Sequence, residues 1–149
     1  MSIQYDVVFT AFTSKITDKF FSELPTLDSE EQMIQLLNDG LIYFKNPKIN
    51  VFDKDDTLKV FNLNLGYFEI QIISNLMKLA WFDRQLANIE LIKQKFTDRD
   101  FKITSQAEHM TKLQLLKNAH ILTCKTLMKN YTYSNGILPK YNGLASDDL

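Results

Sequence analysis

The most regular apolar pattern of the chain lies between Phe68 and Gln94. Apolar residues recur there at steps of three and four, which predicts one stripe of an α-helix, formed by Ile73, Leu76, Met77, Ala80, Ala87 and Leu91. A second line consists of Ile72, Leu79 and Leu86, and Trp81, Phe82 and Ile89 lie between the two. Such a helix must be covered from several sides, so it is either the middle of a bundle or shared with a neighbouring subunit. Interrupting residues such as Gln71, Lys78 and Asp83 exclude a membrane span.

The same spacing predicts an amphipathic helix from Ile3 to Leu24, closed by Pro25. Its apolar stripe consists of Tyr5, Val8, Phe9, Phe12, Ile16 and Phe20. We interpret this aromatic stripe as core. The alternative is an arm that lies on a neighbouring subunit, in which Phe9 and Phe12 would be interface residues.

A second helix is predicted to begin at Asp28, which is a suitable N-cap, and to stop before Pro47. Its buried face is formed by Met33, Leu36, Leu37, Leu41 and Phe44. Gly40 lies inside this helix and weakens it by ~1 kcal/mol relative to alanine. We therefore expect the helix to bend or end near Gly40.

Between residues 48 and 64 the period changes to two, which predicts a short β-hairpin. Its strands would contain Ile49 and Val51, then Leu58 and Val60, with the turn at residues 53–56. Because an isolated hairpin is marginal in water, it should pack on the helices or pair with a strand of a partner.

A last long helix is predicted from about Gln106 to Lys129, capped by Thr104 or Ser105 after a polar loop. One of its apolar stripes contains Leu113, Leu116, His120 and Leu127, and the other contains Leu115, Ala119 and Leu122. Glycine, proline and aromatic residues then follow, including Tyr133 and Tyr141. They predict an extended tail over residues 132–149 that orders on a partner, after a single helical domain over residues 1–131. The predicted fold is mainly α: a bundle of about four helices with a small β-hairpin.

Composition narrows the function classes. The formal net charge is −1, so the chain is not a basic nucleic-acid binder by composition. Residues 28–60 carry a net charge of −3 and residues 105–131 one of +3. The two segments could dock within the monomer or across a subunit boundary, or they could be two solvated faces. The single cysteine excludes an internal disulfide, and no secretory leader is recognisable before Asp6, so we expect synthesis in the cytoplasm.

Residues that could carry chemistry are few. His120 and Cys124 are four residues apart, but two ligands without a third are weak evidence for metal, and a core histidine beside a buried thiol is the preferred interpretation. The aspartates of residues 53–56 lack the glycine and glutamate of an EF-hand loop. We expect no catalytic site, metal or cofactor.

Arg84 interrupts the central stripe and should pair with a carboxylate at a helix or subunit contact, with Glu69, Glu90, Asp98 and Asp100 as candidates.

One stretch resembles the neck, or head–tail connector (adaptor), proteins of tailed bacteriophages. The resemblance covers roughly Leu65 to Leu116, about a third of the chain, and is carried by Leu65, Glu69, Ile73, Met77, Trp81, Arg84-Gln85, Glu90, Asp100-Phe101-Lys102, Thr104-Ser105-Gln106-Ala107, His109 and Leu113. It implies an all-helical virion protein that forms a ring under the portal and passes DNA to the tail. The position within the neck or tail stays open: adaptor, stopper, tail completion protein or a component elsewhere in the tail.

The predicted function is therefore that of a structural subunit without catalysis, located at the head–tail junction of the virion and in the host cytoplasm during assembly. Its expected partners are copies of itself, the portal and neighbouring neck or tail proteins, with no membrane and no small-molecule substrate. DNA would pass through the ring without sequence-specific binding. Interface candidates are Phe9, Phe12, Trp81, Arg84, Tyr133 and Tyr141. The alternative is a small phage-encoded protein that regulates a host protein by laying its first helix into a groove.

Overall fold

A computed structural model describes residues 2–16, 30–95 and 100–134. In chain order, its elements are β1 (Ile3–Gln4), α1 (Tyr5–Lys15), α2 (Glu30–Leu41), β2 (Lys54–Asp55), β3 (Val60–Phe61), α3 (Tyr67–Lys95) and α4 (Asp100–Ser134). The prediction of a mainly helical fold with a small β element is confirmed. The predicted Asp28 cap lies outside the described residues.

Helix α3 is the centre of the bundle, because α1, α2 and α4 all pack against it. Its side chains are buried on every side between Ile72 and Leu86, and those buried include Ile73, Leu76, Met77, Ala80, Trp81 and Phe82. This part of the helix therefore lies in the middle of the bundle, which is the first of the two alternatives predicted from the sequence. Ala87 is exposed, so the predicted stripe reaches solvent beyond Leu86.

Gly40 lies within α2 and is buried where that helix crosses α3. A Cβ atom added to Gly40 would lie 2.9 Å from the backbone carbon of Leu76 and 2.9 Å from the backbone nitrogen of Met77. The sequence marks Gly40 as a weak point of the helix, and α2 does end at Leu41. The structure adds the reason for a glycine there, which is the close approach of two helix backbones.

The β-structure differs from the predicted hairpin in two ways. It is a three-stranded antiparallel sheet in the order β1–β3–β2, because Ile3 and Gln4 pair with β3 instead of starting α1. The turn lies at residues 56–59, not 53–56, since the Asp55 carboxylate accepts hydrogen bonds from the backbone of Thr57 and Leu58 at 2.8 and 2.9 Å. Lys59 closes this turn with a φ of 58°.

The predicted first strand is also displaced. Residues around Val51 form a turn in which the Val51 N–H donates to Ile49 at 3.0 Å, yet the Val51 side chain is buried in the core. The alternating apolar pattern that predicted a strand therefore belongs to a loop that packs on the helices.

The two ends of the helical prediction also need correction. Helix α1 ends at Lys15 instead of Leu24, and residues 17–29 lie outside the described range. Helix α4 begins at Asp100, so Thr104 and Ser105 are interior positions and not caps, and it continues to Ser134, past the predicted start of the tail. Residues 135–149 lie outside the described range. No helix in the described ranges is long and apolar enough to cross a membrane.

Candidate interaction surfaces

Most of the aromatic residues predicted to form an interface lie in the core of the bundle. Phe9, Phe12 and Trp81 are buried within the bundle, which agrees with the core interpretation of the first stripe. Trp81 packs edge-on against Phe82 with the ring centroids 5.5 Å apart. Tyr133 is half-buried near the end of α4, and Tyr141 lies outside the described residues.

Arg84 joins two helices of the same subunit. Its guanidinium lies 3.4 Å from a carboxylate oxygen of Asp39 and donates to the side-chain oxygen of Gln35 at 3.2 Å, and both partners are on α2. Asp39 was not among the predicted partners, because the sequence does not show that α2 crosses α3 at this height. The pair is largely solvent-exposed, so its contribution to stability is only ~0 to 1 kcal/mol.

The first apolar surface, which we call the α2–α3 surface, contains Ile42 and Tyr43 just after α2. Ile42 is 74% exposed and Tyr43 47% exposed. They line a cleft of about 350 Å³ together with Asp39, Ala80, Asp83, Arg84 and Ala87. Sequence reasoning missed this surface because it considered only the buried face of the helix. The available signal was that Ile42 and Tyr43 fall off the Leu37–Leu41–Phe44 stripe.

The second apolar surface, the outer α4 surface, contains Leu115 and Leu122. Each is 65% exposed, and because they are seven residues apart they lie on one side of the helix. Leu113 and His120, two positions earlier, face α3 and are buried. Near Leu115 a further cleft of about 340 Å³ is lined by Ala107, Met110, Thr111, Gln114 and Leu115. The second stripe predicted for the last helix is therefore apolar and solvent-exposed in the monomer.

A third exposed group lies at the start of α3. Tyr67 is 73% exposed and the ring of Phe68 meets it edge-on, with centroids 6.1 Å apart. Phe52, in the loop before β2, is also exposed. Aromatic residues are enriched at protein–protein interfaces.

His120 and Cys124 form a buried polar contact between α4 and α3. The His120 Nε2 atom lies 2.7 Å from the backbone oxygen of Asn75, which fits Nε2–H as the donor, and the Cys124 Sγ atom lies 3.7 Å from the same oxygen. Burial lowers the pKa of His120, against the opposing effect of the Asn75 hydrogen bond. Burial raises the pKa of Cys124 to about 11, so the thiol is protonated and unreactive at neutral pH. Among the described residues no group of three or more metal-ligating side chains occurs.

Two aspartates of the hairpin region accept hydrogen bonds from other side chains. The Asp56 carboxylate accepts hydrogen bonds from the Tyr5 hydroxyl at 2.5 Å, from the Lys54 ammonium at 2.5 Å and from the Asn38 amide at 3.4 Å. Burial alone would raise the pKa of Asp56, but these hydrogen bonds outweigh it and the pKa is lowered. Asp53 accepts from the Asn62 amide at 2.7 Å. Asp56 therefore links the hairpin to α1 and α2, whereas Asp53 joins the two sides of the hairpin.

The ion pairs of the described residues do not join the acidic segment to the basic one. Lys59 pairs with Glu30 and Lys54 with Asp56, both inside the acidic segment, while Lys117 of α4 pairs with Asp83 of α3.

Comparison with known proteins yields no relative: no protein-family model, no curated protein and no solved structure matches the chain.

Proposed function

We propose that this protein is a structural subunit of a tailed-bacteriophage virion, which assembles with copies of itself into a ring at the head–tail junction. The proposal takes its location from the resemblance between Leu65 and Leu116, and its mode of action from exposed apolar side chains. In it, the subunit links the portal to the tail and carries out no reaction.

The observation that carries the proposal is that two apolar surfaces stay exposed although the core is complete. The α2–α3 surface and the outer α4 surface are built from different residues, so they are not one self-complementary patch. When one such surface binds the other on the next copy, the contact is heterologous, and a heterologous contact closes into a ring or continues as a filament. Burial of an exposed leucine or isoleucine contributes ~1.5–3 kcal/mol per side chain, enough to favour assembly when several are covered together.

The location is tested by mass spectrometry of purified particles of the phage that encodes this chain, with copy number measured against the portal protein. A copy number like that of the portal would support the neck ring. Absence from particles, together with a stoichiometric complex with a host protein, would replace the proposal by the regulatory alternative. The burial of Phe9 and Phe12 in the bundle favours the ring proposal over binding of a host protein through the first helix.

The pairing of the two surfaces is tested by two single variants. Ile42→Lys changes only the α2–α3 surface and Leu122→Lys only the outer α4 surface, and both side chains are mostly exposed, so each variant should fold like the wild type. Native mass spectrometry of the wild type at high concentration or with portal-containing particles should show oligomers, and each variant alone should not.

Mixing the two variants provides the control. Each retains one intact surface, so the mixture should form a heterodimer through one restored junction and grow no further. A wild type that stays monomeric both alone and with portal-containing particles would contradict the proposal.

A further inference from the structure

A basic cleft forms where the loop after α2 meets the second half of α4. Its volume is about 180 Å³, and it is lined by Lys45, Asn46, Lys125, Met128, Lys129 and Thr132. The three lysines are exposed. They come from two segments that are distant in sequence, so the fold brings the three lysine residues to one cleft.

The loop that carries Lys45 is fixed on α4. The backbone N–H of Lys45 donates to the Met128 sulfur at 3.4 Å, and the backbone N–H of Lys48 donates to the Tyr131 hydroxyl at 3.1 Å. The Lys48 ammonium donates to the Tyr131 carbonyl at 2.7 Å and lies 4.7 Å from the centre of its ring. Because these contacts already order the loop, a ligand of the cleft does not have to order it.

Negative charge is scarce around this cleft. Among the residues that the structure describes, no carboxylate lines it, and the ion pairs described for lysines involve Lys54, Lys59 and Lys117. Glu69 accepts a hydrogen bond from the Tyr131 hydroxyl at 3.3 Å, at the far end of that ring. Glu108, the acid of the basic segment, is ~25 Å from Lys125 along the helix at about 1.5 Å per residue. Among the described residues, the charged side chains that line this cleft are therefore all positive.

We propose that this cleft binds phosphate groups, and that its ligand is the backbone of double-stranded DNA, contacted without sequence readout. Lysine ammonium groups bind phosphate as compact point charges. Lys125 and Lys129 are one helical turn apart, ~6 Å, so they can contact separate phosphates while the Asn46 amide donates a hydrogen bond to a phosphate oxygen.

The lining also disfavours other modes of nucleic-acid binding. Within the described residues the cleft has no aromatic ring on which the bases of a single strand could stack. It also has no arginine for bidentate reading of guanine. The inference rests on the proposed function only for the source of the DNA, since it names the surface of the subunit that would face DNA in the ring.

The test measures binding of the full chain to a fluorescently labelled 20-base-pair duplex by anisotropy at 50–200 mM salt. With three phosphates neutralised, the slope of log affinity against log salt should be about −2.7, which corresponds to about 40-fold weaker binding across that range. Lys45→Gln, Lys125→Gln and Lys129→Gln should each weaken binding and bring the slope closer to zero by about 0.9.

Lys59→Gln is the matched control, because it removes the same charge from the hairpin and should leave DNA binding unchanged. Thermal melting of each variant checks that it folds. Equal loss of affinity in Lys59→Gln would show a net-charge effect and overturn the inference, as would binding that the three cleft variants do not change.

Inorganic phosphate is the second probe and separates the sources of the ligand. Phosphate that perturbs the backbone amide resonances of Lys45 and Lys125 without any binding of the duplex would make the cleft a small-anion site and overturn the assignment to DNA. A triple cleft variant that loses DNA binding but still self-associates would support the inference and leave the ring proposal standing. A wild-type protein that binds DNA but does not self-associate would refute only the ring proposal.

Discussion

Replacement of Gly40 by alanine tests whether the contact between α2 and α3 sets the stability of the bundle. The new Cβ would lie 2.9 Å from two backbone atoms of α3, and because these atoms are backbone, no side-chain rotation can make room. The helices must separate by several tenths of an ångström. Overpacking costs ~1–3 kcal/mol, and we expect ~2–3 kcal/mol here because the atoms that the Cβ meets belong to the backbone. Replacing a helical glycine by alanine returns ~1 kcal/mol.

The free energy of unfolding should therefore fall by about 1–2 kcal/mol, measured by urea denaturation, with Tm lower by about 2–8 °C. Gly40→Val should be more destabilising, because it adds further atoms at the same crossing. Gly66→Ala is the control, since its Cβ would meet only a carboxylate oxygen of Glu69, the end of a flexible side chain, at 2.7 Å. A Gly40→Ala protein as stable as the wild type, or more stable, would refute the close-approach argument.

Four further predictions concern the polar groups of Tyr5, Asp56, His120 and Cys124. Tyr5→Phe removes the hydroxyl group that donates a hydrogen bond to Asp56, and it should lower the free energy of unfolding by about 1–2 kcal/mol. An unchanged midpoint of urea denaturation would contradict a stabilising role of this hydrogen bond. The lowered pKa of Asp56 means that its contribution is present above the unfolded pKa of about 3.9 and is lost as the pH falls through the folded value, so Asp56→Asn should flatten this acid limb of the stability curve. His120 is the opposite kind of group: its lowered pKa means that protonation disfavours the fold, so stability should begin to fall below about pH 6.5, and His120→Gln should remove that part of the pH dependence. Cys124, with its pKa raised to about 11, should resist alkylation by iodoacetamide at pH 7.5 and react fully in 6 M guanidinium, while fast labelling of the native protein would show that the thiol is accessible.

The sequence predicts those features that depend on spacing along one helix. The period of three and four located α3 to within a residue or two at each end, and the second stripe of the last helix identified Leu115 and Leu122. Both follow from the fixed geometry of an α-helix, which a single segment contains completely.

Features that depend on which segments meet could not be predicted in this way. The partner of Arg84 depends on the height at which α2 crosses α3. The basic cleft depends on the loop that places Lys45 on α4. The turn of the hairpin lies later than predicted because several aspartates close together in sequence can accept backbone hydrogen bonds, and in the structure Asp55 accepts them from Thr57 and Leu58. Local preference for a turn does not distinguish between neighbouring aspartates.

The pairing of β1 with β3 has a consequence for the order in which the chain folds. Strands β2 and β3 are joined by a turn of a few residues, whereas the Ile3–Phe61 pair closes a loop roughly ten times longer. The additional closure entropy is about 2 kcal/mol, because it grows as (3/2)RT times the logarithm of the loop length. The hairpin can therefore form early and locally, while β1 docks only after α1 and α3 have met. Native-state amide hydrogen exchange should accordingly find the β1–β3 bonds opening before those between β2 and β3, so that the amino terminus is the last part of the sheet to fold and the first to be released.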